Sequence, residues 1–235
     1  MGEAERRGGW AYVSLVSALP GVTLSERTAL AVQLVLFEAA AVALSAATGR
    51  WDALPLATAS IVVATAGSAA MLSLSRRIRA LAPPERYRRT LFDSSVDVVM
   101  GLVAFVALGT YLLLGARSPD GGLLVRLLGD PLPALPVAFG LLVAWDVCYR
   151  IGTAWWVSIT GLWRTVAFGR AFDPATRRGY LAIEGRVLGF AVLQLALVPF
   201  LWPDRPLALA VLGHVLAVLA VSGLTVVLLG RGGPA

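Results

Sequence analysis

RRIRALAPPERYRRTLFDSSVDVVMGLVAFVALGTYLLL, residues 76–114, sets two chemistries side by side. Six arginines (Arg76, Arg77, Arg79, Arg86, Arg88 and Arg89) crowd its first part, and Ser94–Leu114 follows with Asp97 as its one charged residue. A bilayer core about 30 Å thick is crossed by roughly 20 apolar residues in a helix. The stretch therefore reads as a transmembrane helix entered from a strongly basic turn.

Working outward, five more segments have the same character: Thr28–Thr48, Ala53–Leu74, Pro136–Trp156, a short Val187–Leu201 ending in Trp202-Pro203, and Leu207–Leu229. Composition agrees. The 235 residues are 58% hydrophobic and 14% charged, with a mean hydropathy of +0.78. Soluble domains have roughly 45–50% apolar and about 25% charged residues. This balance excludes a water-soluble globule, a disordered chain and a nucleic-acid binder with a solvated basic face.

Arginine placement gives the orientation. The ends and turns on one side carry Arg6, Arg7, Arg27, the six of the first basic turn, Arg164, Arg170, Arg177, Arg178, Arg186 and Arg231. The other side carries Arg50, Arg117, Arg126 and Arg205, and Arg150 falls inside a span. Basic residues collect on the cytoplasmic side. Six spans with both termini cytoplasmic place every basic cluster correctly, whereas five or seven would put one outside. The expected fold is all-α and polytopic, in the cell membrane. It has an interfacial segment over residues 1–24, a transmembrane domain over 25–230 and a cytoplasmic tail over 231–235.

Residues 9–24 are apolar but broken by Pro20-Gly21. With Trp10 and Tyr12 as anchors they suit a helix lying on the inner leaflet better than a cleaved signal. Ser25 is placed to cap the first span. Pro83-Pro84 and Phe172-Asp173-Pro174 mark helix breaks, and Asp120-Gly121-Gly122 marks a turn before the apolar stretch 123–128. No fixed-period repeat is present.

Small residues predict close helix crossings: Ser60, Ala64 and Ser68 in span two, Gly101 and Ala104 in span three, and Ala210, Gly213, Ala217 and Ala220 in span six. Pro131, Pro133 and Pro136 open span four. Along it Trp145, Tyr149, Gly152, Trp156 and Trp163 form one stripe, and Asp146, Arg150, Thr153 and Thr160 the next. Trp155 and Trp156 are expected at the inner interface, with Trp163 and Arg164 at or beyond the headgroups.

Ionisable groups in hydrocarbon cost on the order of 3 kcal/mol each and suggest function. Glu38 lies mid-span, suited to relaying a proton, binding a cation or pairing with an arginine. Asp146 and Arg150, four apart, can pair on one helix face. Arg150 can alternatively reach Glu38 across helices, or bind an anion. His214, in the outer third of span six, suits a hydrogen-bonded neutral role or a proton relay. Asp97 and Asp93 stand near the inner mouth. Ser94-Ser95-Val96-Asp97 has capping-box form, so capping is the expectation for both. Cys148 reads as a small buried hydrophobe.

The chain has no lysine, one histidine and one cysteine. Schiff-base chemistry, an intrachain disulfide, bis-histidine haem and His- or Cys-rich zinc sites are excluded. No phosphate-binding loop, GxGxxG, HExxH, CxxC or GxSxG occurs, nor clustered carboxylates for magnesium; the loops offer only Glu85, Asp93, Asp173 and Glu184. No cofactor or metal is expected. Three functions remain, in order. The first is a transporter or channel for an ion or small polar solute, along a path lined by Glu38, Asp146 and Arg150 with His214 nearer the outer mouth. The second is a non-catalytic membrane subunit or scaffold. The third is an intramembrane lipid-modifying enzyme. The bilayer is the expected partner, with a second copy or a membrane subunit beside it and no nucleic acid.

Overall fold

The computed structural model describes residues 25–119 and 121–231; the interfacial segment expected over 1–24 and all but Arg231 of the expected tail lie outside them. The described residues form helices α1 (Glu26–Thr48), α2 (Leu54–Ala80), α3 (Glu85–Phe92), α4 (Val96–Gly115), α5 (Gly122–Leu128), α6 (Ala134–Phe168), α7 (Pro174–Leu193), α8 (Val198–Leu201) and α9 (Arg205–Arg231). Short 3-10 turns at Trp51–Ala53, Gly169–Ala171 and Gln194–Leu197 join some of them. Six units are long and apolar enough to cross a membrane: Glu26–Thr48, Trp51–Ala80, Glu85–Gly115, Ala134–Ala171, Pro174–Leu201 and Arg205–Arg231.

Local chemistry sets the helix ends. Ser25 Oγ accepts from the Thr28 N–H at 3.2 Å and starts α1. Gly49, at φ +69°, ends it in the left-handed conformation that glycine adopts without a Cβ clash. Pro83-Pro84 separates α2 from α3, and Pro133 precedes α6. Asp173 caps α7, accepting from the Ala175 and Thr176 N–H groups at 2.8 and 3.0 Å. The expected capping box at α4 does not form. Ser95 sits at φ +54° with no side-chain cap, and the Asp97 carboxylate turns into the core instead.

Two boundaries differ from expectation. α6 continues past Trp156 to Phe168, and α7 starts at Pro174 rather than Val187. At 1.5 Å per residue, the 35 residues of α6 span about 52 Å, well beyond a hydrocarbon core of about 30 Å. The extra length lies at the arginine-rich end. There Ile78, Tyr87, Leu91, Tyr180, Ile183 and Leu229 make a core that α2, α3, α6, α7 and α9 share. A middle core joins Phe37, Ile61, Ala64, Val143, Val147 and Phe190. At the arginine-poor end Leu112 of α4 packs with Leu123 and Leu124 of α5.

α6 is the central post, packing on α2, α4, α7 and α9. Glycines let it come close. A Cβ on Gly152 would stand 2.7 Å from the Gly101 nitrogen, and one on Gly67 would stand 2.9 Å from Arg150 Cβ. Gly101 of the span-three face and Gly67 beside the span-two face thus mark true crossings, whereas Ser60 and Ala104 line a cavity. The span-six face does not mark one: Ala210, Gly213 and Ala220 are exposed, and α9 packs through Ala208, Val215, Val218, Ser222, Thr225 and Leu229 instead.

Candidate functional site

Asp146 and Arg150 lie one turn apart on the buried face of α6. Arg150 Nη2 donates to Asp146 Oδ1 at 2.7 Å, and Gln33 Nε2 of α1 donates to Asp146 Oδ2 at 3.0 Å. Arg150 Nη1 rests on Met71 Sδ at 3.2 Å, and its guanidinium stands 5.3 Å from the Tyr149 ring centre. The Tyr149 hydroxyl donates to Asp97 Oδ2 at 2.9 Å. Asp146 is 1% exposed and Arg150 0%. Of the two partners open to Arg150 in the sequence, the pair is therefore made with Asp146. Asp97, in the first turn of α4, accepts from a phenol, and Asp93 is exposed at the end of α3.

Glu38 stands apart from this cluster. Thr58 Oγ1 of α2 donates to Glu38 Oε2 at 2.9 Å, and Glu38 Oε1 is buried with no partner. Five residues of α helix turn about 140° and rise about 7.5 Å, so Glu38 cannot share the direction of Gln33. His214 meets the Trp155 ring edge-on at 6.1 Å between centroids, and its Nε2 is buried without a partner. No hydrogen bond or ion pair joins Glu38 or His214 to Asp146 and Arg150.

A second buried pair was not foreseen. Arg164, expected at or beyond the headgroups, is 0% exposed, and so is Glu184, expected in a loop. Arg164 Nη2 donates to Glu184 Oε1 at 3.1 Å and Nη1 to the Tyr87 hydroxyl at 3.3 Å. The guanidinium lies over the Tyr180 ring, 3.7 Å from its centre. Gly161 makes the space, since a Cβ there would stand 2.7 Å from Glu184 Oε1. The signal was in the spacing. Arg164 follows Asp146 by 18 residues, which is five full helical turns, so it continues the stripe of Asp146, Arg150 and Thr160.

The large cavity lies elsewhere. About 640 Å³ opens at the arginine-poor half, between the ends of α1, α2, α4, α5, α6 and α9. Its wall is apolar: Leu44, Ala57, Leu108, Leu124, Ala144 and Val211 are representative. Ile151 and His214 lie deepest along their helices, and Thr48 and Arg50 stand at its end. Over it, Asp204 ties α4 to α9. The Tyr111 hydroxyl donates to Asp204 Oδ1 at 2.8 Å, and Arg126 Nη2 stands 3.9 Å from Oδ2. Among the described residues, no group of three His, Cys, Asp or Glu could hold a metal ion.

The model of a protein family described as "Family of unknown function (DUF7530)" matches residues 6–225. No curated protein and no solved structure matches the chain.

Proposed function

The chain belongs to this family of unknown function, DUF7530, and we propose that it is a multi-pass cell-membrane protein that binds or carries a small molecule with a long apolar part. The observation behind this reading is the apolar cavity of about 640 Å³, inside the roughly 300–1,000 Å³ range of small-molecule sites. The arginine bias supports termini in the cytoplasm and, with them, a cavity in the outer half of the bilayer. Apolar walls there offer no hydration to a polar solute but accept a hydrocarbon chain from the surrounding leaflet. The core charges are engaged elsewhere, with Asp146 on Arg150 and Arg164 on Glu184.

Filling the cavity tests this. Ala144 lines it from α6. With the protein in detergent, displacement of a fluorescent 16-carbon amphiphile should weaken at least tenfold in Ala144→Phe, with melting within a few degrees of wild type. Unchanged binding in that variant removes the reading.

Proton- or ion-coupled transport is the second reading, supported by Glu38. A carboxylate with one oxygen on Thr58 and the other buried and unpartnered is suited to holding a proton or cation. Liposome flux that keeps its pH profile after Glu38→Gln would remove it. The scaffold and lipid-enzyme readings gain less. Asp93 and Arg178 are exposed, whereas Asp97 and Glu184 are buried on different partners.

A further inference from the structure

We infer that the cavity's ligand is an amphiphile carrying an anionic oxyacid head, carboxylate or phosphate, with Arg50 binding the head and the apolar wall binding one chain. This rests on the cavity reading above and names its ligand class.

Volume limits the tail. At about 30 Å³ for a group the size of a water molecule, 640 Å³ accommodates roughly twenty methylenes. That is one long alkyl or prenyl chain held inside.

Arg50 defines the head. Among the described residues, the arginines at this end of the molecule, where basic residues are scarce, are Arg50, Arg117, Arg126 and Arg205. Arg126 faces Asp204 at 3.9 Å, and the Arg205 guanidinium lies 4.2 Å from the Trp202 ring centre. Arg117 is exposed and does not line the cavity. Arg50 is exposed as well but does line the cavity, at its end, and neither a hydrogen bond nor an acidic partner occupies its guanidinium among the described residues. Its neighbour Asp52 is exposed and makes no ion pair with it.

The backbone reserves a place for this side chain. The Arg50 guanidinium lies against Gly129, where a Cβ would run into it. Gly129 is buried and sits at φ +91°, a conformation that glycine adopts freely. Five planar N–H donors beside an apolar chamber match a carboxylate or phosphate on a hydrocarbon tail.

The test uses the full chain in detergent and four 16-carbon probes: the carboxylate, the alkyl phosphate, the alcohol and the amine. Inorganic phosphate serves as the headgroup alone. The proposal expects the carboxylate and the alkyl phosphate to bind wild type at least tenfold tighter than the alcohol, and the amine to bind weakest. Arg50→Gln should remove that tenfold preference while changing alcohol affinity less than twofold. Inorganic phosphate should not compete at concentrations where the alkyl phosphate does. Competition by inorganic phosphate alone would assign a free-anion site and overturn the amphiphile. Equal binding of all four probes, or an unchanged preference in Arg50→Gln, overturns the head assignment. If Ala144→Phe still weakens binding at least tenfold then, the cavity reading survives. If no probe binds wild type, both fall together.

Discussion

Arg164 of α6 and Glu184 of α7 meet at 3.1 Å with neither side chain reaching solvent, in the part of the bundle where the chain is otherwise richest in exposed arginine. Tyr87 and Tyr180 close the guanidinium in. The pair therefore locks α3, α6 and α7 together at the arginine-rich end. Removing one partner leaves a buried charge, at about 3–5 kcal/mol. Arg164→Leu should lower the melting temperature in detergent strongly, and Arg164→Leu with Glu184→Leu should recover most of the loss. A double variant no better than the single would show that the two charges do not compensate each other.

Arg150 should resist its conservative replacement. Its guanidinium donates to Asp146, touches Met71 and faces the Tyr149 ring at once. An ammonium cannot reproduce that planar set. Arg150→Lys should cost about 1–3 kcal/mol in denaturant unfolding although the charge is kept. Stability equal to wild type would mean that charge alone matters there.

Glycine at the α4–α6 crossing is required by contact. A Cβ on Gly152 would stand 2.7 Å from a backbone nitrogen, which cannot yield as a side chain can. Gly152→Ala should destabilise by about 1–3 kcal/mol. Gly213 has open space around its Cβ position. Gly213→Ala should be neutral or stabilising by up to about 1 kcal/mol, through helix propensity. Equal effects at the two positions would contradict the packing described.

Asp173 gives a pH dependence. The Thr176 hydroxyl and the Thr176 and Ala175 N–H groups hold its carboxyl below the usual carboxylate range. A folded value below the unfolded one, about 3.9, stabilises fully above the unfolded value. That contribution fades as pH falls through the folded value. The stability gap between wild type and Asp173→Asn should therefore shrink on acidification. A gap that stays constant or widens as pH drops would rule this out.

Span number, the break at Pro83-Pro84 and the cap at Ser25 were legible because each depends on a few neighbouring residues. The Asp146–Arg150 pair was legible as one of two options, since four-residue spacing puts both groups on one face. Arg164 and Glu184 were misplaced because a charge in sequence looks like the end of a span. Only the facing helix shows that its charge is neutralised. Ser95 and Asp97 had the form of a cap, but Tyr149 of α6 offered Asp97 a better partner in space.

Hydropathy and arginine spacing, read along the chain, determined six apolar helices, because bilayer thickness and helix rise convert length directly into crossings. Tertiary structure decided which buried charges meet, which small residues mark crossings, and that the cavity between α1, α2, α4, α5, α6 and α9 is apolar and separate from the ion pairs. Those depend on helix rotation and on groups from distant segments, which no local pattern encodes.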